Sequence, residues 1–222
     1  LSEEERDIYD KYNVYTGVEV KDLEESEYVM PFYPVFPSWM SIFGNIFGSD
    51  NRIYSLTFFS VLSILATYLF AYEISNRKKS VGILASFFLA ISPIHIYFSR
   101  VPLAETTVLM FLFLGFYYLL KFYNDYKKSN IQKIYLLLSL LIFSALFLTK
   151  MSGIFLLPII LLLPILFKIF SKDREILKIF SIYSLVWILL LSLSYLFYKV
   201  FTPALFEQII GKRILEVFGF EF

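Results

Sequence analysis

Long apolar segments, separated by short clusters of lysine and arginine, run through most of this chain of 222 residues. About 20 consecutive apolar residues are enough for a helix to cross a bilayer. Hydrophobic residues make up 58% of the chain and charged residues 18%, against about 45–50% and about 25% in soluble domains. This pattern excludes a disordered protein, a disulfide-rich secreted scaffold and a nucleic-acid binder. It predicts an all-α, multi-pass membrane protein.

Six segments have the length and composition of membrane-crossing helices. The least obvious pair lies within Ile134–Phe167, whose 34 residues would extend about 51 Å as one helix, well beyond a bilayer core. A polar interruption from Thr149 to Gly153 divides this segment into a hairpin with Lys150 at its turn. The predicted spans are therefore Tyr54–Ile74, Val81–Phe98, Val101–Leu120, Ile134–Thr149, Gly153–Phe167 and Ile179–Tyr198.

Basic residues are concentrated at one end of these spans. Three alternate loops, at Arg77, at Lys121–Lys133 and at Lys168–Lys178, together carry eleven bases and four acids. Because lysine and arginine are enriched in cytoplasmic loops, these three loops are predicted to be cytoplasmic. Residues 1–52 and Lys150 are then predicted to be extracytoplasmic.

These assignments divide the chain into three regions. Residues 1–52 are predicted to form an extracytoplasmic first loop with short juxtamembrane helices. Residues 53–199 form the six-span transmembrane region, and residues 200–222 begin the next extracytoplasmic segment. Since the sequence begins at Leu1 rather than Met and stops in an aromatic stretch, we expect it to be part of a longer protein.

The first loop is acidic and contains two predicted helices. Its first 50 positions hold eleven acids and three bases. A short helix is predicted over Leu1–Tyr15. Three prolines between Met30 and Trp39 argue against a regular helix there. The apolar segment Trp39–Phe47, ended by Gly48, is too short to cross the membrane and is predicted to lie in the interface plane.

The densest group of ionisable and proline residues lies between the second and third spans, from Ser92 to Glu105. It contains His95, the single histidine of the chain, and Arg100. Ionisable groups at membrane depth are costly and therefore indicate function, and a guanidinium can offer two parallel donors to a phosphate. The alternative is that Arg100 and Glu105 form a structural ion pair, with His95 as an interfacial anchor.

Two further sets of charged residues are candidates for chemistry. Lys150 would lie at the same boundary as Arg100, where two cations suit a lipid phosphate or pyrophosphate. The alternative is a lysine that merely reaches the headgroups. The carboxylates of the N-terminal helix, Glu3 and Glu4 among them, could act as a general base; alternatively, they form a solvated face.

Five motifs follow one another in an order typical of one enzyme family. They are the acidic Ser2-Glu3 with Gly17, the proline-rich Tyr33–Pro37, Phe47-Gly48 with Arg52, the segment Ser92–Glu105, and Leu148–Gly153. In this order they resemble the GT-C type membrane glycosyltransferases that use polyprenyl-phosphate sugars. The resemblance is to the branch of the protein O-mannosyltransferases and the aminoarabinose transferase of lipid A. Its most specific part is Ser92–Glu105.

The resemblance implies a role for each candidate residue. Arg100 and Lys150, with Arg52 as a third candidate, would bind the donor phosphate. Glu105 would orient Arg100 or help to place the acceptor, and His95 would support the site. A divalent metal beside His95 would find one histidine and scattered acids, a weak ligand set, so no cofactor is assigned.

The catalytic base implied by the family is an acidic residue of the first loop. Ser2 stands where the family has its catalytic aspartate, so Glu3, and after it Glu4, are the candidates. Three explanations stay open: a register that differs by one residue, a branch that uses glutamate, or an inactive protein.

The function implied by the resemblance is transfer of a sugar from a polyprenyl-phosphate (dolichyl-phosphate-like) donor to a hydroxyl-bearing acceptor, with inversion, at the extracytoplasmic face of the cell membrane. The partners would be the lipid-linked donor, an acceptor glycan, lipid or protein, and membrane lipids. Two alternatives stay open. One is a transporter half, supported only by Pro158 and Pro164 in the fifth span, and the other is a non-catalytic membrane subunit.

Overall fold

A computed structural model describes residues 19–22, 27–29, 35–126, 132–150, 153, 156–170 and 173–201. The chain divides into two compact units, one made of Leu1–Phe32 with Tyr195–Phe222 and the other of Tyr33–Ser194. The helix predicted over Leu1–Tyr15 and residues 202–222 lie outside the described residues.

In the first unit, the described residues include a two-stranded antiparallel hairpin. Strand β1 is Glu19–Asp22 and strand β2 is Glu27–Val29, with Glu19 opposite Val29. No secondary structure was predicted for this stretch, several of whose residues are glutamate, aspartate or lysine, which are poor strand formers.

The rest of the described chain is helical, which confirms the predicted all-α membrane protein. The helices are α1 (Val35–Phe47), α2 (Tyr54–Ile74), α3 (Lys79–Ala90), α4 (Pro93–Phe98), α5 (Glu105–Tyr126), α6 (Ile134–Thr149), α7 (Leu156–Phe170) and α8 (Arg174–Phe201), with a short 3-10 helix at Ser49–Ile53. Helices α2 and α6 have the bounds that the sequence predicts.

Three helical stretches are long and apolar enough to cross a membrane. They are Ser49–Ile74, Glu105–Tyr126 and Arg174–Ser194. Shorter apolar helices occupy the other three predicted spans. They are Lys79–Ala90, Ile134–Thr149 and Leu156–Ile165, the last being the first part of α7. In the part of the chain that the structure describes, the six predicted spans thus correspond to three helices of crossing length and three shorter ones.

Proline divides the second predicted span, Val81–Phe98. Helix α3 ends at Ala90, and α4 begins at Pro93 after an extended Ser92. Inside a helix, Pro93 would lack the N–H of the backbone ladder, and its ring would clash with the carbonyl four residues earlier. At the first position of a new helix, neither cost arises. The break turns the chain so that α4 becomes a separate element beside the start of α5.

Two other helix starts differ from the prediction for local reasons. Helix α5 begins at Glu105 rather than Val101, and Pro102 disfavours the helical conformation at Val101, the residue before it. Helix α8 begins at Arg174, five residues before the predicted Ile179. There Asp173 caps the helix, because its Oδ1 accepts a hydrogen bond of 2.9 Å from the backbone N–H of Glu175.

Helix α1, which was predicted to lie in the interface plane, is longer than predicted. Helix α1 begins at Val35 rather than Trp39, because Pro37 falls in its first turn, where the backbone N–H has no helical acceptor to lose. It ends as predicted at Phe47, and the φ of +97° at the following Gly48 requires glycine. Helix α1 packs against α2 through Trp39 and Phe59, whose rings meet edge to face with centroids 5.5 Å apart.

Helix α5 packs against both α2 and α6. The close approach of α5 to α6 depends on Gly115, because a Cβ at that position would overlap the ring of Phe143. Ser139 Oγ donates a hydrogen bond of 2.9 Å to the Gly115 carbonyl. Small residues and hydroxyl groups commonly join helices in this way in membranes. The packing brings the first turn of α5 beside the end of α6, where Glu105 meets Lys150.

Candidate functional site

An ion pair joins two of the candidate residues at this end of the helices. Lys150 follows α6 in an extended conformation, and its Nζ donates a hydrogen bond to Glu105 Oε1 at the start of α5. The side chains remain 38% and 28% exposed, respectively. A ligand from solvent or from the lipid headgroups can therefore reach the pair.

The partner of Glu105 differs from the one that the sequence suggests. Glu105 was expected to orient Arg100 or to form a structural ion pair with it. Among the described residues, Glu105 pairs with Lys150 instead, and no ion pair or hydrogen bond joins the exposed guanidinium of Arg100 to another described residue. Arg100 follows α4, two residues after Phe98, and its backbone N–H donates to the Tyr97 carbonyl at 3.0 Å.

A cavity of about 340 Å³ opens between α3, α4 and the start of α5. Its apolar walls are Leu89, Ile94, Phe98 and Leu109, and its polar lining is Ser92, His95, Glu105 and Thr106. An apolar pocket with a few convergent polar groups is the usual form of a small-ligand site. Because Glu105 lines the cavity and also binds Lys150, the cavity and the ion pair belong to one site.

Three polar atoms in the first turn of α5 have unused hydrogen-bonding capacity. Glu105 Oε2, Thr106 Oγ1 and Thr107 Oγ1 are buried without a hydrogen-bond partner among the described residues. Most buried polar groups in native structures are bonded. Other buried threonines here follow that rule: Thr67 and Thr149 each donate to the carbonyl four residues earlier, at 2.8 and 2.7 Å. Thr106, unlike Thr107, also lines the cavity.

His95 connects α4 to α2. Its side chain is 6% exposed, and its Nε2 lies 2.9 Å from Ser60 Oγ on α2. This contact holds α4, which forms one wall of the cavity, against α2. His95 is therefore buried inside the protein and is not an exposed interfacial anchor. Among the described residues, no three histidine, aspartate or glutamate side chains gather as metal ligands.

The remaining candidate residues are Arg52, Glu3 and Glu4, and the structure describes only the first of them. Arg52 lies in the 3-10 helix after α1 and is exposed. Its carbonyl accepts a hydrogen bond of 2.7 Å from Ser55 Oγ. Glu3 and Glu4 lie outside the described residues, so their role stays a prediction.

A second polar cluster, at the other end of α5, was not predicted. Arg77 donates to Glu73 Oε1 at 3.1 Å and to Asp125 Oδ1 at 2.8 Å, and Asn124 Nδ2 also donates to Glu73 Oε1, at 3.0 Å. The hydrogen bonds to Glu73 and Asp125 raise the pKa of Arg77 above its ordinary value. In the sequence, Glu73 and Asp125 each lie beside a basic loop, which could have indicated an ion pair. Asp125 is 48 positions from Arg77, so the sequence alone does not show that the two side chains meet.

The two polar clusters mark the two ends of α5. The helix has 22 residues, a length of about 33 Å, which matches the roughly 30 Å hydrocarbon core of a bilayer. The Lys150–Glu105 pair lies at its start, and Arg77 binds Asp125 at its end. The two clusters are thus separated by about the thickness of a hydrocarbon core, and the placement of Arg77 and Lys150 on opposite sides of a membrane stays a prediction.

Comparison with known proteins identifies one family. A family model described as dolichyl-phosphate-mannose-protein mannosyltransferase matches residues 31–198, which is most of the chain. The matched region includes the cavity, the Lys150–Glu105 pair and Arg100, whereas Glu3 and Glu4 precede it. No curated protein and no solved structure matches the chain.

Proposed function

Because the chain belongs to the dolichyl-phosphate-mannose-protein mannosyltransferase family, we propose that it transfers mannose from a polyprenyl-phosphate donor to a hydroxyl-bearing acceptor at the extracytoplasmic membrane face. The family resemblance inferred from the sequence motifs is confirmed, and the chain is a membrane glycosyltransferase. The acceptor, the membrane face and the stereochemistry are the parts that we propose.

The observation that carries the proposal is the Lys150–Glu105 pair on the edge of the cavity. A donor phosphate that enters this site would meet the ammonium of Lys150 while Glu105 keeps that side chain in place. Arg100 has a guanidinium without a described partner and follows the same cavity wall. Guanidinium groups bind phosphates through two parallel hydrogen bonds, so we assign Arg100 and Lys150 to the donor phosphate and keep Arg52 as a third candidate.

The proposed reaction is a single displacement. A carboxylate of the first loop, Glu3 or Glu4, takes the proton of the acceptor hydroxyl as its oxygen attacks the anomeric carbon. The bond from that carbon to the phosphate oxygen breaks, and its electron pair leaves with the lipid phosphate. Arg100 and Lys150 stabilise the negative charge that develops on the phosphate. Attack opposite the leaving group inverts the anomeric carbon.

A transfer assay tests the function. The intact protein in lipid nanodiscs should transfer labelled mannose from dolichyl phosphate mannose to a serine- and threonine-rich peptide, a glycan or a lipid, each tested separately. The product should have the anomeric configuration opposite to that of the donor. A folded protein that neither binds the donor nor transfers its sugar would contradict the proposal and would favour a non-catalytic membrane subunit.

Cysteine labelling tests the membrane face. The chain has no cysteine, so Ser49→Cys and Ser80→Cys, at two exposed positions before and after α2, each introduce one thiol. In intact cells, an impermeant maleimide should label Ser49→Cys directly and Ser80→Cys only after the membrane is opened. Labelling of both thiols from the same side would contradict the proposed orientation.

A further inference from the structure

The cavity beside Glu105 has a size and lining that suit one small, hydroxyl-rich group. Its volume of about 340 Å³ is near the lower end of small-ligand pockets, which is too small for a long polyprenyl chain. Its walls are apolar, so they can pack against the C–H faces of a ring. Its polar lining can bind the edges of the same ring.

Two polar atoms of the cavity lining, Thr106 Oγ1 and Glu105 Oε2, have no described hydrogen-bond partner. A ligand with hydroxyl groups, which both donate and accept hydrogen bonds, would satisfy them. The Thr106 side chain is only 1% exposed, and its hydroxyl has no partner among the described residues although it lines the cavity. Glu105 binds Lys150 through Oε1 and leaves Oε2 buried without a partner. A prenyl unit has no hydroxyl groups and would leave both atoms unsatisfied, and an ionised phosphodiester has no O–H to donate to the Glu105 carboxylate.

We infer that this cavity binds the sugar ring of the lipid-linked donor, with Thr106 Oγ1 and Glu105 Oε2 hydrogen-bonded to hydroxyl groups of that ring. The inference rests on the proposed function, because it takes the sugar to arrive on a lipid phosphate. Glu105 then contacts both parts of the donor site. Its Oε1 holds the phosphate-binding Lys150, and its Oε2 accepts a hydrogen bond from the sugar beside that phosphate.

Two lipids, dolichyl phosphate with and without its mannose, provide the test, and each variant is compared with the wild type for both. The dissociation constants of both lipids are measured with the intact protein in nanodiscs, and the ratio of the constant for dolichyl phosphate to that for dolichyl phosphate mannose reports what the sugar contributes. Thr106→Val replaces a hydroxyl by a methyl group of similar size. It should reduce that ratio by about 3- to 10-fold, the usual value of one neutral hydrogen bond, and should leave the affinity for dolichyl phosphate unchanged. Thr106→Ser should retain the wild-type ratio.

The neighbouring Thr107 supplies a matched control. It is also fully buried and its hydroxyl is also unpaired among the described residues, but it does not line the cavity. Thr107→Val should therefore leave the ratio unchanged. An equal loss in both variants, or a loss with Thr106→Val for both lipids alike, would overturn the sugar site.

The test also separates this inference from the proposed function. If the wild type transfers mannose but Thr106→Val leaves the ratio unchanged, the sugar site is overturned and the function stays in place. A wild-type protein that binds neither lipid and transfers no sugar would overturn both.

Discussion

Replacing Glu3 with glutamine should slow sugar transfer by about 10²- to 10⁴-fold, the usual cost of losing a general base. Glutamine keeps the size and hydrogen-bonding groups of the side chain but cannot take the proton of the acceptor hydroxyl. Donor binding and thermal stability should therefore change little. The measurement is the turnover rate of the intact protein at saturating dolichyl phosphate mannose, together with donor affinity.

Control variants decide whether the loss is specific to Glu3. Glu24→Gln removes a carboxylate from the same acidic loop and should leave turnover near the wild-type rate. Glu4→Gln tests the second candidate. If both Glu3→Gln and Glu4→Gln keep near-full turnover, both assignments fail, and Asp7 and Glu105 become the next candidates for the base.

The sequence predicts the helices best where composition alone sets their ends. Helices α2 and α6 have the predicted bounds, because each is an apolar run with polar residues on both sides. The second span was predicted as one helix, since Pro93 is a single proline in a mainly apolar segment and hardly changes its mean hydropathy. Its backbone effect is local and steric, so the break is visible only in the structure.

Site residues can be selected one by one from the sequence, but their pairing cannot. Lys150 and Glu105 both stood out as ionisable residues near the ends of apolar segments. They are 45 positions apart, and only the packing of α5 against α6 at Gly115 brings them together. The sequence therefore suggested the nearby Arg100 as the partner of Glu105, which is not the pairing that the structure describes.

Thr106 was missed because a threonine in an apolar helix is usually satisfied by its own backbone. Thr67 and Thr149 behave in that way. Thr106 lies at the second residue of α5, where no preceding helical turn offers a carbonyl. No sequence signal distinguishes these positions without knowledge of where the helix begins, and that start was predicted four residues too early, at Val101.

Replacing Arg100 with lysine should abolish most transfer activity while the protein stays folded in the membrane. A lysine keeps the charge but cannot present the planar pair of donors that matches a phosphate. Since a hydrogen bond to a charged group contributes about 1.5–3 kcal/mol, the affinity for dolichyl phosphate should fall about 10- to 100-fold. Arg174→Lys, an exposed arginine at the start of α8, is the matched control and should bind as the wild type does.

The affinity of the intact protein for dolichyl phosphate without its sugar tests the proposed donor site most directly, because it depends on neither the acceptor nor the base. We predict tight binding by the wild type and by Arg174→Lys, and binding weaker by at least about tenfold for Arg100→Lys. Equal affinity in all three proteins would contradict the account and would leave Arg100 as a surface arginine with no role in donor binding.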